Sequence, residues 1–244
     1  MTKRFVVIYE ALADFTTATE LADRMLLEKI DWLEAELLQH QRQWIGEAPL
    51  GIRLTWTSMT GRAREAGIRV HGRFNGEPGL PDARAARRAI AYVLRQFGTV
   101  DAILLIRDVD DQHERKSGLQ QAREVFASEC TIILGIAIRE RESWVICGFQ
   151  PSNEEESGRL AAERQKLGWN PCLAPHDLTA GKDNQALKSP KRVLNALTGG
   201  DGNREADCWR NTPLEVLINR GQQNGLADFL EEVRLRLVPL IKTQ

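Results

Sequence analysis

The sequence predicts an α/β protein, a mainly parallel Rossmann-like sheet flanked by helices, with a helical C-terminal extension. Three observations carry that prediction. Short runs of β-branched and apolar residues recur at Phe5 to Tyr9, Val100 to Ile106 and Thr131 to Ile138, as in strands covered on both faces. Segments whose apolar residues fall at helical spacing alternate with these runs. Beyond Asn153 strand-like runs stop, and only short helical patterns remain. The 244 residues, 42% hydrophobic and 27% charged, suffice for one substantial core.

Taken in order, Phe5-Val6-Val7-Ile8-Tyr9 is the first strand. From Ala18 to Gln43 the residues Leu21, Met25, Leu26, Ile30, Leu33, Leu37 and Leu38 predict one long helix, ended by Gly46 and Pro49. Ile52 to Thr57 alternates apolar and polar side chains and predicts a second strand. Ser58 to Pro81, rich in glycine and arginine, predicts an irregular surface excursion. Pro81-Asp82 marks a helix start, and Ala86, Ile90, Val93, Leu94 and Phe97 carry the apolar face of that helix to Gly98. A strand over Val100 to Ile106, a helix from Glu114 to Ala127, a strand over Thr131 to Ile138 and a helix starting near Glu140 continue the alternation. Helices are then expected at Glu154 to Leu167, Pro190 to Leu197, Pro213 to Asn219 and Leu226 to Leu237, with Thr198 to Asn203 a loop. Residues 1–150 are thus expected to form an α/β domain, and 151–244 a helical extension packed on it.

Composition excludes several classes. Lysine and arginine total 33 against 34 aspartates and glutamates, a formal charge of -1, so any basic surface is local rather than general. Cys130, Cys147, Cys172 and Cys208 are scattered, unlike a zinc ribbon, a C-x-x-C redox motif or a disulfide framework. A reducing cytoplasm is the expected setting. Glu10 and Asp14 interrupt the first apolar run before it could serve as an export signal. No run approaches the roughly 20 apolar residues of a membrane span, so no membrane association is expected.

The strands run into acidic residues. The first ends at Glu10, with Asp14 four residues on; the Val100 to Ile106 strand leads to Asp108, Asp110 and Asp111; the Thr131 to Ile138 strand leads to Glu140 and Glu142. In open α/β sheets the ligand crevice lies beyond the carboxyl ends of the strands, so these carboxylates are expected on one edge. Asp108 and Asp110, two apart on an extended segment, would point the same way. Carboxylates about 4 Å apart repel by roughly 4 kcal/mol at an effective dielectric near 20, a penalty that a cation offsets. Oxygen ligands without cysteine fit Mg²⁺ or Mn²⁺. A calcium loop starting at Asp108 fails, because His113 and Leu119 stand where glycine and glutamate are needed.

These residues carry a resemblance. Val6-Val7-Ile8-Tyr9-Glu10-Ala11-Leu12-Ala13-Asp14 resembles the V-E-G-x-x-D opening of nucleases of the overcoming-lysogenisation-defect type, and Leu104-Leu105-Ile106-Arg107-Asp108-Val109-Asp110 matches the strand and D-x-D of the toprim fold to which they belong. Glu142-Ser143-Trp144 and Pro190-Lys191 fit the E-x-W and P-K of a group of compact, uncharacterised bacterial toprim-like proteins. Ala11 departs from the family's glycine at a turn where backbone freedom matters.

The resemblance implies a toprim-like α/β domain that hydrolyses phosphodiesters of DNA or RNA with Mg²⁺ or Mn²⁺. It makes Glu10 a metal ligand or general base and Asp108 and Asp110 metal ligands, with Asp14 and Glu142 as ligands or their supports. Asp111 is the substitute if the loop is shifted. Lys191 would put positive charge beside the scissile phosphate; His113 is left outside the catalytic set as a loop histidine. The implied biological setting is an anti-phage defence effector beside an ATPase partner. A catalytically silent scaffold subunit of such a complex is the alternative, favoured by Ala11.

Other readings are narrower. The sequence holds no G-x-S-x-G, H-E-x-x-H or strand-linked G-x-G-x-x-G. Arg62, Arg64, Arg69 and Arg73, with Arg84, Arg87 and Arg88, form a local basic stretch able to track a phosphate backbone, or an ordinary exposed face. Trp44 and Trp56 are expected to pack in the core. Leu226, Phe229, Leu230, Val233 and Leu237 form an apolar face that docks on the chain's own core or on a second copy in a homo-oligomer.

Overall fold

The computed structural model describes residues 2–47, 52–110, 112, 114–180 and 183–242. Pro49, Asp111 and His113 lie outside the described residues. The chain is α/β, with a four-stranded parallel sheet flanked by helices and a helical C-terminal part. The strands β1 (Lys3–Ile8), β2 (Arg42–Ile45), β5 (Ala102–Asp108) and β6 (Thr131–Ala137) stand in the order β2-β1-β5-β6. Phe5 faces Trp44 on one side of β1 and Ala102 on the other. Direction along the sheet therefore reverses between β1 and β5, the kind of switch point where α/β proteins place ligands.

β1, β5 and β6 are the three strands expected from the β-branched runs, and their apolar residues are almost fully buried. The long helix expected up to Gln43 is instead two. α1 (Leu12–Lys29) ends at Ile30, whose extended backbone begins a turn, and α2 (Ala35–Gln41) follows. Ile30 and Leu33 are both buried across that turn, so the apolar spacing continues where the helix does not. The strand β2 begins at Arg42, inside the expected helix.

The expected strand over Ile52 to Thr57 is also corrected. It is reduced to a single parallel bridge, Tyr9 to Thr55, after which Trp56 opens α3 (Trp56–Glu65) with the Thr55 hydroxyl accepting from the Ser58 amide at 3.3 Å. The expected excursion thus holds a capped helix and a small hairpin, β3 (Arg73–Phe74) with β4 (Glu77–Pro78). α4 (Ala83–Phe97) and α5 (Arg115–Val125) fall where expected.

Past the sheet come α6 (Arg141–Gly148), α7 (Glu154–Leu167), α8 (Pro190–Thr198), α9 (Gly202–Arg210), α10 (Leu214–Arg220), α11 (Leu226–Glu232) and α12 (Val238–Lys242). The turn Val233–Leu237 between the last two is π-helical. The expected loop up to Asn203 stops at Asp201, whose carboxylate accepts from the amides of Asn203 and Arg204 and starts α9.

The chain forms two compact units: residues 1–107, 112–136 and 231–244 in one, 108–111 and 137–230 in the other. In the first, α3, α4 and α5 pack in sequence, while α1 meets the C-terminal π turn and α12. In the second, α6 is the hub, touching α8, α9 and α10. Its packing is tight: a Cβ on Gly148 would stand 1.8 Å from the Cys208 carbonyl oxygen, so only glycine lets α6 and α9 approach this closely. Among the described residues no helix is long and apolar enough to cross a membrane.

Candidate active site

In the second unit, the residues that leave the sheet meet the start of α6 and the start of α8. The Val109 amide donates to the Ala137 carbonyl at 2.8 Å and the Asp110 amide to Arg139 at 3.1 Å, extending the β5 and β6 pairing past the strands. Asp110 and Arg139 both adopt positive φ, 50° and 52°. These two non-glycine residues, bonded to each other through the backbone, both stand in that sparsely populated region. Asp108 turns to α6, where its Oδ1 accepts the Arg141 amide at 3.0 Å.

Glu140 is the N-cap residue of α6 and only 3% exposed. Its Oε1 accepts from the Lys191 ammonium at 3.0 Å, while among the described residues its buried Oε2 has no hydrogen-bond partner. Burial raises its pKa above the ordinary carboxylate value, with Glu142 and Asp110 adding to the rise and Lys191 opposing it. Burial alone would lower the Lys191 pKa, but the hydrogen bond to Glu140 and the fields of Glu142 and Asp108 outweigh it and hold the ammonium above its usual range. Lys191 owes its place to Pro190 at the first position of α8 and to the Ser189 hydroxyl, which accepts the Arg192 amide at 3.4 Å.

α6 itself is pinned from behind. Trp144, 2% exposed, stacks on Phe229 with ring centroids 5.2 Å apart and donates its indole N–H to the Asn224 carbonyl at 2.9 Å. The Asn224 side-chain amide donates to the Ser143 carbonyl at 2.8 Å, and its own carbonyl takes the Ile138 amide at 2.9 Å. The tryptophan of the E-x-W motif is thus an anchor that fixes the helix carrying Glu142. A cleft of about 420 Å³ lies beside this start, lined by Arg141, Glu142, Lys191, Arg192, Asn195 and Glu205 among others. Arg141 reaches Glu142 at 3.3 Å and Glu205 at 3.8 Å, and burial raises the Glu205 pKa.

Of the residues expected from sequence, Asp108, Asp110, Glu142 and Lys191 belong to this unit and share this neighbourhood. Glu10 and Asp14 belong to the first unit. There Glu10 Oε1 lies 3.2 Å from Arg107 and 3.9 Å from Arg115, and both arginines also pair with Asp82, at 3.1 Å and 2.6 Å. Asp14 accepts the Ala11 amide at 2.7 Å and closes the first turn of α1. In the sequence Glu140 is one acid after a strand; its burial is set by Lys191 arriving from α8, which no local signal marks.

The chain matches no family model, no curated protein and no solved structure. The site is therefore read from its own chemistry.

Asp108, Asp110, Glu140 and Glu142 offer only oxygen, the preference of Mg²⁺ or Mn²⁺, and the orphaned Glu140 Oε2 is a buried atom that needs a positive neighbour. Among the described residues no three acidic, histidine or cysteine side chains stand around a common point.

Proposed function

We propose that the chain is a divalent-metal-dependent phosphodiesterase acting on nucleic acid, DNA or RNA, with its chemistry at the start of α6 and α8. One observation carries this reading. Lys191, 51 residues from Glu140 in the chain, reaches that carboxylate at 3.0 Å and lies in the field of Glu142 and Asp108. A cation held by acids is the pairing that phosphoryl transfer uses, with carboxylates to hold metal and an ammonium to meet developing charge.

Asp108, Asp110, Glu140 and Glu142 are the residues that would hold the metal, which when bound polarises the phosphate and lowers the pKa of a water. The protein's own parts do the rest. Lys191 exchanges its contact with Glu140 for a phosphate oxygen of the substrate. Arg141 lines the cleft as a second positive group. Asn224 and Trp144 keep α6 from shifting when charge is added or removed. For Glu10 the ligand or base role is only what its toprim-like motif implies, and the Glu10→Gln variant tests it. The wider setting, a toprim-like effector of anti-phage defence working with an ATPase, rests on the likeness of the Glu10, Asp108-Val109-Asp110, Glu142-Ser143-Trp144 and Pro190-Lys191 motifs.

A silent scaffold is the second reading, and the ion pair of Glu10 with Arg107 at 3.2 Å favours it, since a carboxylate already paired to arginine is a poorer metal ligand. The deciding experiment is cleavage of RNA, single-stranded DNA and duplex DNA with Mg²⁺ or Mn²⁺, comparing the native chain with Asp108→Asn, Lys191→Ala and Glu10→Gln. The expected result is metal-dependent cleavage, lost in the first two variants. No cleavage of any substrate, or cleavage that survives both substitutions, overturns the hydrolase reading; full activity in Glu10→Gln removes that residue from the mechanism.

A further inference from the structure

Between residues 60 and 95 the chain carries eight arginines against Glu65, Glu77 and Asp82, in a protein whose formal charge is -1. Asp82 is already committed to Arg107 and Arg115. Some of the arginines have internal work: Arg87 donates to the Arg73 carbonyl at 3.1 Å, contacts His71 at 3.1 Å and covers the Phe74 ring, holding the hairpin. Four others do not. Arg64, Arg69, Arg84 and Arg88 line one cleft of about 460 Å³ in the first unit, together with Ile68 and Val70 and without a carboxylate. None of the four makes an ion pair among the described residues, and Arg88 has one long contact, 3.5 Å to the Thr60 hydroxyl.

Gathering four guanidinium groups at one cleft costs free energy through their mutual repulsion. The arrangement makes physical sense when an anion repays it. Arginine rather than lysine suits phosphate, which its planar fork grips through two parallel hydrogen bonds. Arg84 and Arg88 are one helical turn apart on α4 and so present two forks on one face. Among the described residues no aromatic ring lines the cleft, so they offer no platform on which a base could stack.

We propose that this arginine cleft between α3 and α4 binds the phosphodiester backbone of nucleic acid, gripping successive phosphates without reading bases. The proposal deepens the hydrolase reading by naming a surface that holds its substrate class, and its test is binding alone. Anisotropy of a fluorescein-labelled 30-base-pair DNA duplex, and of an RNA duplex of the same sequence, is measured in EDTA over 50 to 200 mM salt. The native chain is expected to bind with a steep salt dependence. Arg84→Ala with Arg88→Ala is expected to weaken binding roughly 10- to 100-fold and to reduce the log–log salt slope by about 2. Arg84→Lys with Arg88→Lys should keep most of the slope, and Arg159→Ala, an arginine paired with Glu155 at 2.9 Å, should change neither quantity.

Unchanged affinity and slope in the alanine pair overturn the proposal. So does pyrophosphate competing at the same concentration of phosphate groups as duplex, which would make this a small-anion site. Arginine-dependent binding without any cleavage by the native chain sinks the hydrolase reading and leaves this one standing; cleavage with arginine-independent binding does the reverse.

Discussion

Two acidic clusters follow strands in this protein, and they are built on opposite principles. In the first unit Glu10 and Asp82 face Arg107 and Arg115, two acids against two bases, with Arg115 only 5% exposed. In the second unit, among the described residues, Asp108, Asp110, Glu140, Glu142 and Glu205 outnumber Arg139, Arg141 and Lys191, and one buried oxygen of Glu140 has no hydrogen-bond partner. The balanced cluster holds structure together. The acid-rich one is the kind of cluster that a cation or a proton would relieve, and such clusters gather where chemistry is done.

Breaking the second cluster should have the largest effect, and on activity. Lys191→Ala is expected to lower metal-dependent cleavage by about 10³-fold, the scale of losing one transition-state charge contact, with a smaller fall in the unfolding midpoint, because it leaves the buried Glu140 carboxylate without its 3.0 Å partner. An equal loss of stability and activity would instead make it a structural residue.

Removing the support of that cluster comes next. Trp144→Ala deletes a buried indole stacked on Phe229 and should cost about 3–5 kcal/mol in urea unfolding. The Asp82→Asn change sharpens the contrast: it leaves Arg115 buried without its 2.6 Å partner and should cost about 3 kcal/mol.

An acid-sensitive pair provides the third measure. The bidentate hydrogen bonds of Arg204, at 2.7 Å and 2.9 Å, hold the Glu156 pKa down to about 2 against the rise that burial would cause, with the Ser152 amide and hydroxyl helping. Its folded pKa lies below its unfolded value near 4.5, so its stabilisation is complete above that value and fades as pH falls toward 2. Glu156→Gln should remove on the order of 2 kcal/mol at neutral pH and flatten unfolding free energy against pH between about 4.5 and 2.

The smallest expected effect is the most telling. Glu140→Gln takes a penalised charge out of the acid-rich cluster, and should change stability by only about 0–1 kcal/mol, in the stabilising direction. A loss comparable to that of Asp82→Asn would show that the two clusters are built alike after all.

How much of this could be read from residues alone depended on whether the signal was local. β1, β5 and β6 were legible because Phe5-Val6-Val7-Ile8, Ala102 to Ile106 and Thr131 to Ile136 are buried throughout and so carry uninterrupted apolar runs. β2 was not: Arg42-Gln43-Trp44-Ile45 is a four-residue edge strand next to a helix, too short to show alternation. α3 was hidden by Gly61 and four arginines between residues 62 and 73, although Thr55 was a cap in plain view. The Asp201 cap of α9 was likewise lost among glycines.

The site divides in the same way. Asp108, Glu142 and Lys191 were legible through D-x-D, E-x-W and P-K, short motifs whose residues are spent on one neighbourhood. The pairing of Glu10 with Arg107 was not, because it depends on the register that sets Ile8 beside Leu105, and register is a property of two strands rather than one. Burial of Glu140 depends similarly on where Lys191 arrives from α8.

The central claim is that the cluster around Lys191 takes up a divalent ion. Mn²⁺ binding followed by electron paramagnetic resonance measures this without reference to any substrate, in the native chain, in Asp108→Asn with Glu140→Gln, and in Asp82→Asn. The account predicts saturable binding of one or two ions by the native chain and by Asp82→Asn, abolished in the Asp108 and Glu140 double variant. Native-like Mn²⁺ uptake in that double variant, or none in the native chain, would contradict it.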